Sequence, residues 1–283
     1  MAIIMTCIKE GAYLSVPSKI AANPKINQGP GKWNLFGLAL LLPVTLLTAW
    51  QVLGDLGLIS DLLFPTPYAI GVAFVELSKS GVLWKHIGVS VQRVVTGFLI
   101  GASLGFVVGI AVGLFRRTEK LLDPTVQMIR MIPSLAIVPL FVLWFGIGEL
   151  SKILIIAQAT FFQLYINTFL GIRNVDKKLF EVTYVLGYSR FQQIIRLVLP
   201  AALPNILLGV RISFGISWLG LVVAELTAST SGIGYMMSDA RQFSNTPVVF
   251  VGIFLFAVLG LTADSLIRLL QIRMLRWKSA IYR

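Results

Sequence analysis

The sequence predicts an all-α, polytopic membrane protein of about six transmembrane helices, and three observations carry that expectation. First, 57% of the 283 residues are hydrophobic and only 13% are charged, against about 25% charged in a soluble domain. So apolar a soluble protein would have too few polar side chains to cover its surface; a lipid-facing surface removes the shortage. Second, the apolar residues gather into stretches of roughly 20, the length a helix needs to cross the hydrocarbon layer. Third, the basic residues lie mainly between alternate stretches.

Six candidate spans follow in chain order: about 35–53, 94–115, 131–147, 153–171, 205–227 and 248–267. The second and sixth are cleanest. The third is interrupted by Pro133 and Pro139, and broken helices often line cavities in membrane proteins. Residues 1–34 read as a cytoplasmic N-terminal segment, with Asn23-Pro24 and Gly29-Pro30-Gly31 as a flexible lead. Met1–Cys7 is too short for a secretory signal. Residues 35–283 read as a single membrane domain. A long outer connection is expected over 54–90, with a short amphipathic helix at Ala69–Leu77.

With the N-terminus placed in the cytoplasm, eighteen of the 24 basic residues fall in cytoplasmic segments, as the positive-inside rule requires. Lys79, Lys85, Arg93, Lys152 and Arg241 fall in outer loops and Arg211 inside a span. An even number of spans puts both termini in the cytoplasm. The net charge of +12 is thus a topology signal, and nucleic-acid binding is not expected.

One cysteine and one histidine, Cys7 and His86, exclude a disulfide framework and a multi-histidine metal site. No phosphate-binding loop is present; Gly146-Ile147-Gly148 and Gly232-Ile233-Gly234 are bare fragments outside a dinucleotide fold. An intramembrane hydrolase would need a catalytic constellation within the spans, and Glu225 and Asp264, the acidic residues near them, lie in no such motif.

In the second span Gly97, Gly101, Gly105, Gly109 and Gly113 recur every four residues. Glycine at that spacing lets another helix approach closely. Packing within the chain is the simpler reading; a moving interface between bundles is the other.

Residues 174–203 form the one large polar break on the expected cytoplasmic side. Leu179, Val182 and Leu186 share a helical face. Asp176 is placed to cap that helix and Gly187 to end it. Ser189 with Gln192 has the spacing of a capping box opening a second helix, and Pro200 and Pro204 bracket entry to the fifth span. A surface-lying helix with an exposed cytoplasmic side is a docking element.

Here a specific resemblance enters. Glu181-Val182-Thr183-x₃-Gly187-x₉-Leu197-x-Leu199-Pro200 resembles the E-A-A-x₃-G-x₉-I-x-L-P signature of ABC importer permeases. Glu181, Gly187, Leu199 and Pro200 match; Val182, Thr183 and Leu197 depart. Residues 127–133, 139–148, 166–175, 209–211 and 223–235 are similar to the sulfonate, taurine, nitrate and bicarbonate group, and most to its aliphatic-sulfonate branch. The resemblance covers nearly the whole chain from about residue 35.

It implies a type I ABC importer permease fold, with alternating access driven by a partner. Glu181, Val182, Thr183, Gly187, Leu199 and Pro200 would be the ATPase-coupling residues. The implied partners are a second permease copy, two cytoplasmic ATPases, an extracytoplasmic binding protein and the bilayer of the bacterial inner membrane. No cofactor is expected in the chain itself, ATP and magnesium being bound by the ATPase.

Gln158, Gln163 and Asn167 put polar groups on the fourth span, where unsatisfied groups are costly in lipid. With Arg211 they are candidates for the pathway; helix–helix hydrogen bonding is the alternative. Arg211 could instead snorkel or pair with a carboxylate. Glu225 is read as a structural or gating anchor for the turn holding Gly232 and Gly234, with Pro133 and Pro139 as further gating or structural positions. Asp264 and Arg268 suit an i,i+4 ion pair. An ion-coupled secondary transporter would instead need carboxylates near mid-membrane, and an assembly protein would not need the coupling signature.

Overall fold

The computed structural model describes residues 32–275; the N-terminal lead, Cys7 and the basic residues from Arg276 onward lie outside the described residues. Among the described residues every regular element is helical, as expected. Four helices are long and apolar enough to cross a membrane, or five if one bent pair counts as a span.

The first candidate span is α1 (Lys32–Asp55), with Pro43 inside it. The chain divides into two units within this helix, between Ala49 and Trp50. All that follows concerns the second unit. Its α2 (Pro67–Lys79) is the expected short helix, capped by Thr66, whose side chain accepts from the Ala69 N–H.

α3 (Val82–Leu114) contains the second candidate but starts twelve residues earlier than Val94. The 54–90 connection is shorter than expected for the same reason. At 1.5 Å per residue, α3 is about 50 Å long, well beyond the hydrocarbon thickness. Its first three turns are the polar end of a span, not a loop. Arg93 therefore sits in a helix and not in an outer loop. Lys152 is likewise inside α6 (Glu149–Arg173), and both side chains are buried.

The glycine ladder packs within the chain. A β-carbon at Gly97 would lie 2.7 Å from the Ile156 Cβ, and one at Gly109 2.8 Å from the Thr168 Cβ. At Gly101 and Gly105 the nearest atoms belong to the backbone of Ala157 and Phe161. α3 and α6 thus meet backbone to backbone at Gly101 and Gly105, and glycine to side chain at Gly97, Gly109 and Gly113.

Residues 116–130, expected as a basic loop, form α4 (Arg116–Arg130). It is tied to α6 by an Arg173–Glu119 ion pair and by Tyr165, which donates to Asp123 at 2.6 Å. The third candidate span holds only α5 (Ser134–Phe145). Twelve residues reach about 18 Å, too short to cross alone. α4 and α5 meet at 96°, because Pro133 cannot continue a helix and holds the residue before it out of helical conformation.

The 174–203 segment folds as α7 (Lys177–Val185), α8 (Arg190–Gln193) and a π-helical turn at Ile194–Val198, which runs into α9 (Leu199–Ala228). Then come α10 (Ile233–Gln242) and α11 (Thr246–Met274). α6 packs on one side against α3 and on the other against α9, and α11 lies at the edge against α10, α2 and α9.

Candidate functional site

Two sites occupy opposite ends of α9. The first is the α7–α9 connection. The Asp176 carboxylate accepts from the Lys178 N–H at 2.9 Å and caps α7. Gly187 has φ +71°, a left-handed conformation open to glycine without steric cost. Its N–H donates to the Tyr184 carbonyl and that of Tyr188 to the Thr183 carbonyl, both at 3.0 Å; this is the Schellman closure. Ser189 and Gln192 then form the reciprocal capping box.

The π turn precedes Pro200. A proline ring cannot donate and crowds the carbonyl four residues back, here Arg196. The helix relieves this by widening, and the Leu199 N–H reaches the Ile194 carbonyl instead. π turns of this kind often mark functional positions.

Of the coupling residues, Glu181, Val182, Gly187 and Pro200 are exposed, Leu199 is half-buried and Thr183 is buried. Phe180 and Val198 pack into the apolar cluster of Ile172, Val175, Ala202 and Ile206. Leu179, Val182 and Leu186 face outward, not onto the core. The inward face of α7 is Phe180 and Thr183. The outward apolar face also carries Tyr184 and Val185, 81% and 84% exposed, which sequence reasoning did not single out.

The second site lies at the far end of α9 and centres on Arg93, only 2% exposed. Its Nε and Nη2 donate to the two oxygens of Glu149, each at 2.6 Å. Nη1 donates to Glu225 at 2.8 Å and to the Ser231 carbonyl at 2.6 Å. Nη2 also donates to the Ser231 hydroxyl at 2.9 Å. One guanidinium thus joins α3, α6, α9 and the turn before α10. Only arginine offers five donors in a fixed planar fork.

Glu225 accepts from the Ser90 hydroxyl at 2.7 Å and from the Gly234 N–H at 2.8 Å. The Ile233 N–H donates to the Ser90 Oγ, and the Gly232 N–H to His86 Nδ1. The first amides of α10, which have no partners within their helix, are therefore satisfied by side chains of α3 and α9. Gly232 has φ +106° and a β-carbon there would strike the Glu225 carboxylate. At Gly234 a β-carbon would lie 2.6 Å from the Glu225 Cβ. Glu225, Gly232 and Gly234 are thus brought together. Lys152, also buried, donates to Glu149 at 3.2 Å. Two carboxylates face two cations: Arg93, Lys152 and Glu225 are buried, and Glu149, 57% exposed, meets them from the solvent side.

The remaining candidates are dispersed. Asn167 donates to the Gln163 carbonyl of its own helix at 2.8 Å and packs against Gly209 of α9. Gln158 and Gln163 are half-buried on α6. Pro133 is the N-cap residue before α5 and Pro139 lies within it. Arg211 forks onto Asp264 of α11, Nε to Oδ1 at 2.7 Å and Nη2 to Oδ2 at 2.9 Å. The partner of Asp264 is therefore Arg211 and not Arg268: the bidentate geometry across helices is better than any an i,i+4 pair offers. Gln271 of α11 also donates to the Leu207 carbonyl at 2.7 Å. Reversing either charge alone, Arg211→Asp or Asp264→Arg, is expected to lower the yield of folded protein in detergent. The double exchange is expected to recover most of it; equal losses in all three variants would show that the pair contributes nothing.

Sequence reasoning missed Ser90, Arg93 and Glu149. A signal existed: the glycine ladder continued back by four residues lands on Arg93, and one turn further on Ser90. Among the described residues no group of three or more His, Cys, Asp or Glu side chains is arranged to hold a metal ion. The arrangement offers a long helix, α9, pinned by charge at one end and joined at the other, through the π turn, α8 and the Gly187 turn, to the exposed helix α7.

Comparison with known proteins agrees with this architecture. The chain is 56% identical over 241 residues to the aliphatic sulfonates transport permease protein SsuC named in Bacillus subtilis, covering 85% of this chain and 87% of that protein. It is 45% identical to the Escherichia coli SsuC, covering 89% and 95%. It is 36% identical to the Escherichia coli taurine transport system permease protein TauC, covering 83% and 88%. Among solved structures, an amino acid ABC transporter matches with a TM-score of 0.60 at 15% identity, covering 71% of this chain and 97% of that one. The MetNI methionine ABC transporter in an inward-facing conformation matches with a TM-score of 0.54 at 15% identity, covering 66% and 95%. The description "binding-protein-dependent transport system inner membrane component" fits residues 97–276, and the chain belongs to that family of membrane permeases.

Proposed function

We propose that this permease is the membrane half of an ATP-driven importer for a small anion, an aliphatic sulfonate before taurine, nitrate or bicarbonate. It works as a homodimer with two cytoplasmic ATPases and an extracytoplasmic binding protein in the bacterial inner membrane. ATP and magnesium reside on the ATPases. Family membership supports the transport role, and the identities of 56% and 45% to sulfonate permeases, against 36% to a taurine permease, support the ranking of substrates.

The observation that carries the coupling role is the outward apolar face of α7. An exposed patch of Leu179, Val182, Tyr184, Val185 and Leu186 has no reason to persist on a water-facing loop unless a partner covers it. With this loop in the cytoplasm, the basic segments fall on the inner side and both termini lie there too. α7 continues through a Schellman turn, α8 and the π turn into α9. A push on α7 is delivered along α9 to Glu225, about 40 Å away at 1.5 Å per residue. In this mechanism the Arg93 cluster holds the outer ends of α3, α6 and α9 shut and opens when α9 shifts. Gln158, Gln163, Asn167 and Arg211 are the polar groups proposed to face the path.

Two variants test the coupling role. Gly187→Val forces a β-branched residue into a left-handed turn, at about 1–3 kcal/mol. Glu181→Lys reverses charge on the docking face. Each is expected to lower co-purification of the ATPase and to uncouple uptake. Normal assembly and normal uptake in both would contradict the assignment.

A further inference from the structure

Between the ends of α3 and α6, beneath α7, lies a cavity of about 380 Å³. Its floor is apolar, with Leu114, Phe180 and Val198. Its rim carries Arg173, Lys177 and Arg190, and no carboxylate lines it. Arg173 is already paired with Glu119. Lys177 and Arg190 are exposed, and neither forms an ion pair or side-chain hydrogen bond among the described residues.

The cavity's depth in the membrane follows from its walls. Leu114 and Arg173 end two of the helices able to cross a bilayer, so the cleft opens where hydrocarbon gives way to headgroups. An apolar floor under a cationic rim at that level suits an amphiphile with an anionic head. The exposed tip at Tyr184 and Val185 is not among the lining residues, so the surface offered to the ATPase and this cleft are separate.

We propose that an acidic phospholipid of the inner leaflet occupies this cleft. Its phosphate lies between Lys177 and Arg190, and an acyl chain lies over Leu114 and Phe180. Basic pockets at helix ends on the cytoplasmic side commonly take anionic headgroups, each cation contributing about 1 kcal/mol, or roughly fivefold in affinity.

The test uses the permease–ATPase complex in nanodiscs of phosphatidylcholine with and without phosphatidylglycerol. Bound lipid is read by native mass spectrometry after transfer to detergent. The native complex is expected to retain phosphatidylglycerol over phosphatidylcholine. The double variant Lys177→Gln/Arg190→Gln is expected to lose that preference by roughly 25-fold, two charges at fivefold each, while still binding the ATPase. Leu114→Trp, which fills the floor and leaves the charges in place, is expected to reduce retention as well. Unchanged retention in the double variant would overturn the proposal. So would displacement of the lipid by inorganic phosphate alone, which would make the cleft a free-anion site. Protection of Lys177 from amine labelling by the ATPase, but not by phosphatidylglycerol, would assign the cleft to the ATPase interface and overturn it too.

Discussion

Arg93→Leu is expected to lower the stability of the solubilised protein by roughly 3–5 kcal/mol, the usual loss when one partner of a buried ion pair is removed. The variant leaves the fully buried Glu225 carboxylate with only Ser90 and the Gly234 N–H for partners. It also strips the Ser231 hydroxyl of its donor and leaves the Ser231 carbonyl with only the Ser229 hydroxyl. Arg93→Lys keeps the charge but cannot fork between Glu149 and Glu225, so an intermediate loss is expected. Adding Glu225→Gln to Arg93→Leu removes the stranded charge and should recover part of the stability. Thermal denaturation in detergent measures all three. A melting temperature unchanged in Arg93→Leu would mean that the guanidinium does not hold the cluster together.

Gly101→Leu is expected to abolish folding of the bundle. Even a bare β-carbon there would come within 2.8 Å of the Ala157 Cα and carbonyl carbon. These are backbone atoms of α6 and cannot rotate aside as a flexible side chain would. The strain therefore exceeds the ~1–3 kcal/mol typical of overpacked cores, because two whole helices must separate. Gly88→Ala in the same helix is the control. Nothing lies within 4 Å of its β-carbon position, so this change should be neutral or slightly stabilising, alanine being the better helix former by about 1 kcal/mol. Expression and monodispersity in detergent separate the two outcomes; equal behaviour of Gly101→Leu and Gly88→Ala would refute the close α3–α6 contact.

Local codes in the sequence were legible because their chemistry is local. Asp176, Gly187, Ser189 and Gln192 each act within a few residues, and the structure places each in the capping or turn geometry its spacing implies. The glycine ladder was legible as a close-packed stripe for the same reason, its spacing being that of one helix face. Which helix it meets was not, since that depends on α6, more than 40 residues downstream.

The misplaced helix ends share one physical origin. Apolarity marks where lipid is, not where a helix stops. Val82 to Arg93 is too polar to register as a span, yet it continues α3 and carries the central cation of the buried cluster. The same confusion made a loop of α4, whose sequence is amphipathic rather than uniformly apolar. Asp264 was paired locally with Arg268 because Arg211, 53 residues away, is its neighbour only in the fold. The third span is the weak one: Pro133 before α5 and Gly146 after it leave a helix too short to cross by itself.

The central claim is that this permease moves its substrate only when a partner hydrolyses ATP. The most direct measurement is uptake of a radiolabelled alkanesulfonate into proteoliposomes holding the permease, its ATPase and ATP, with the binding protein outside. Uptake is expected to require all three proteins and to stop when the ATPase is replaced by a variant that binds but does not hydrolyse ATP. Uptake that persists with the hydrolysis-dead ATPase, or with the permease alone under a proton or sodium gradient, would contradict it.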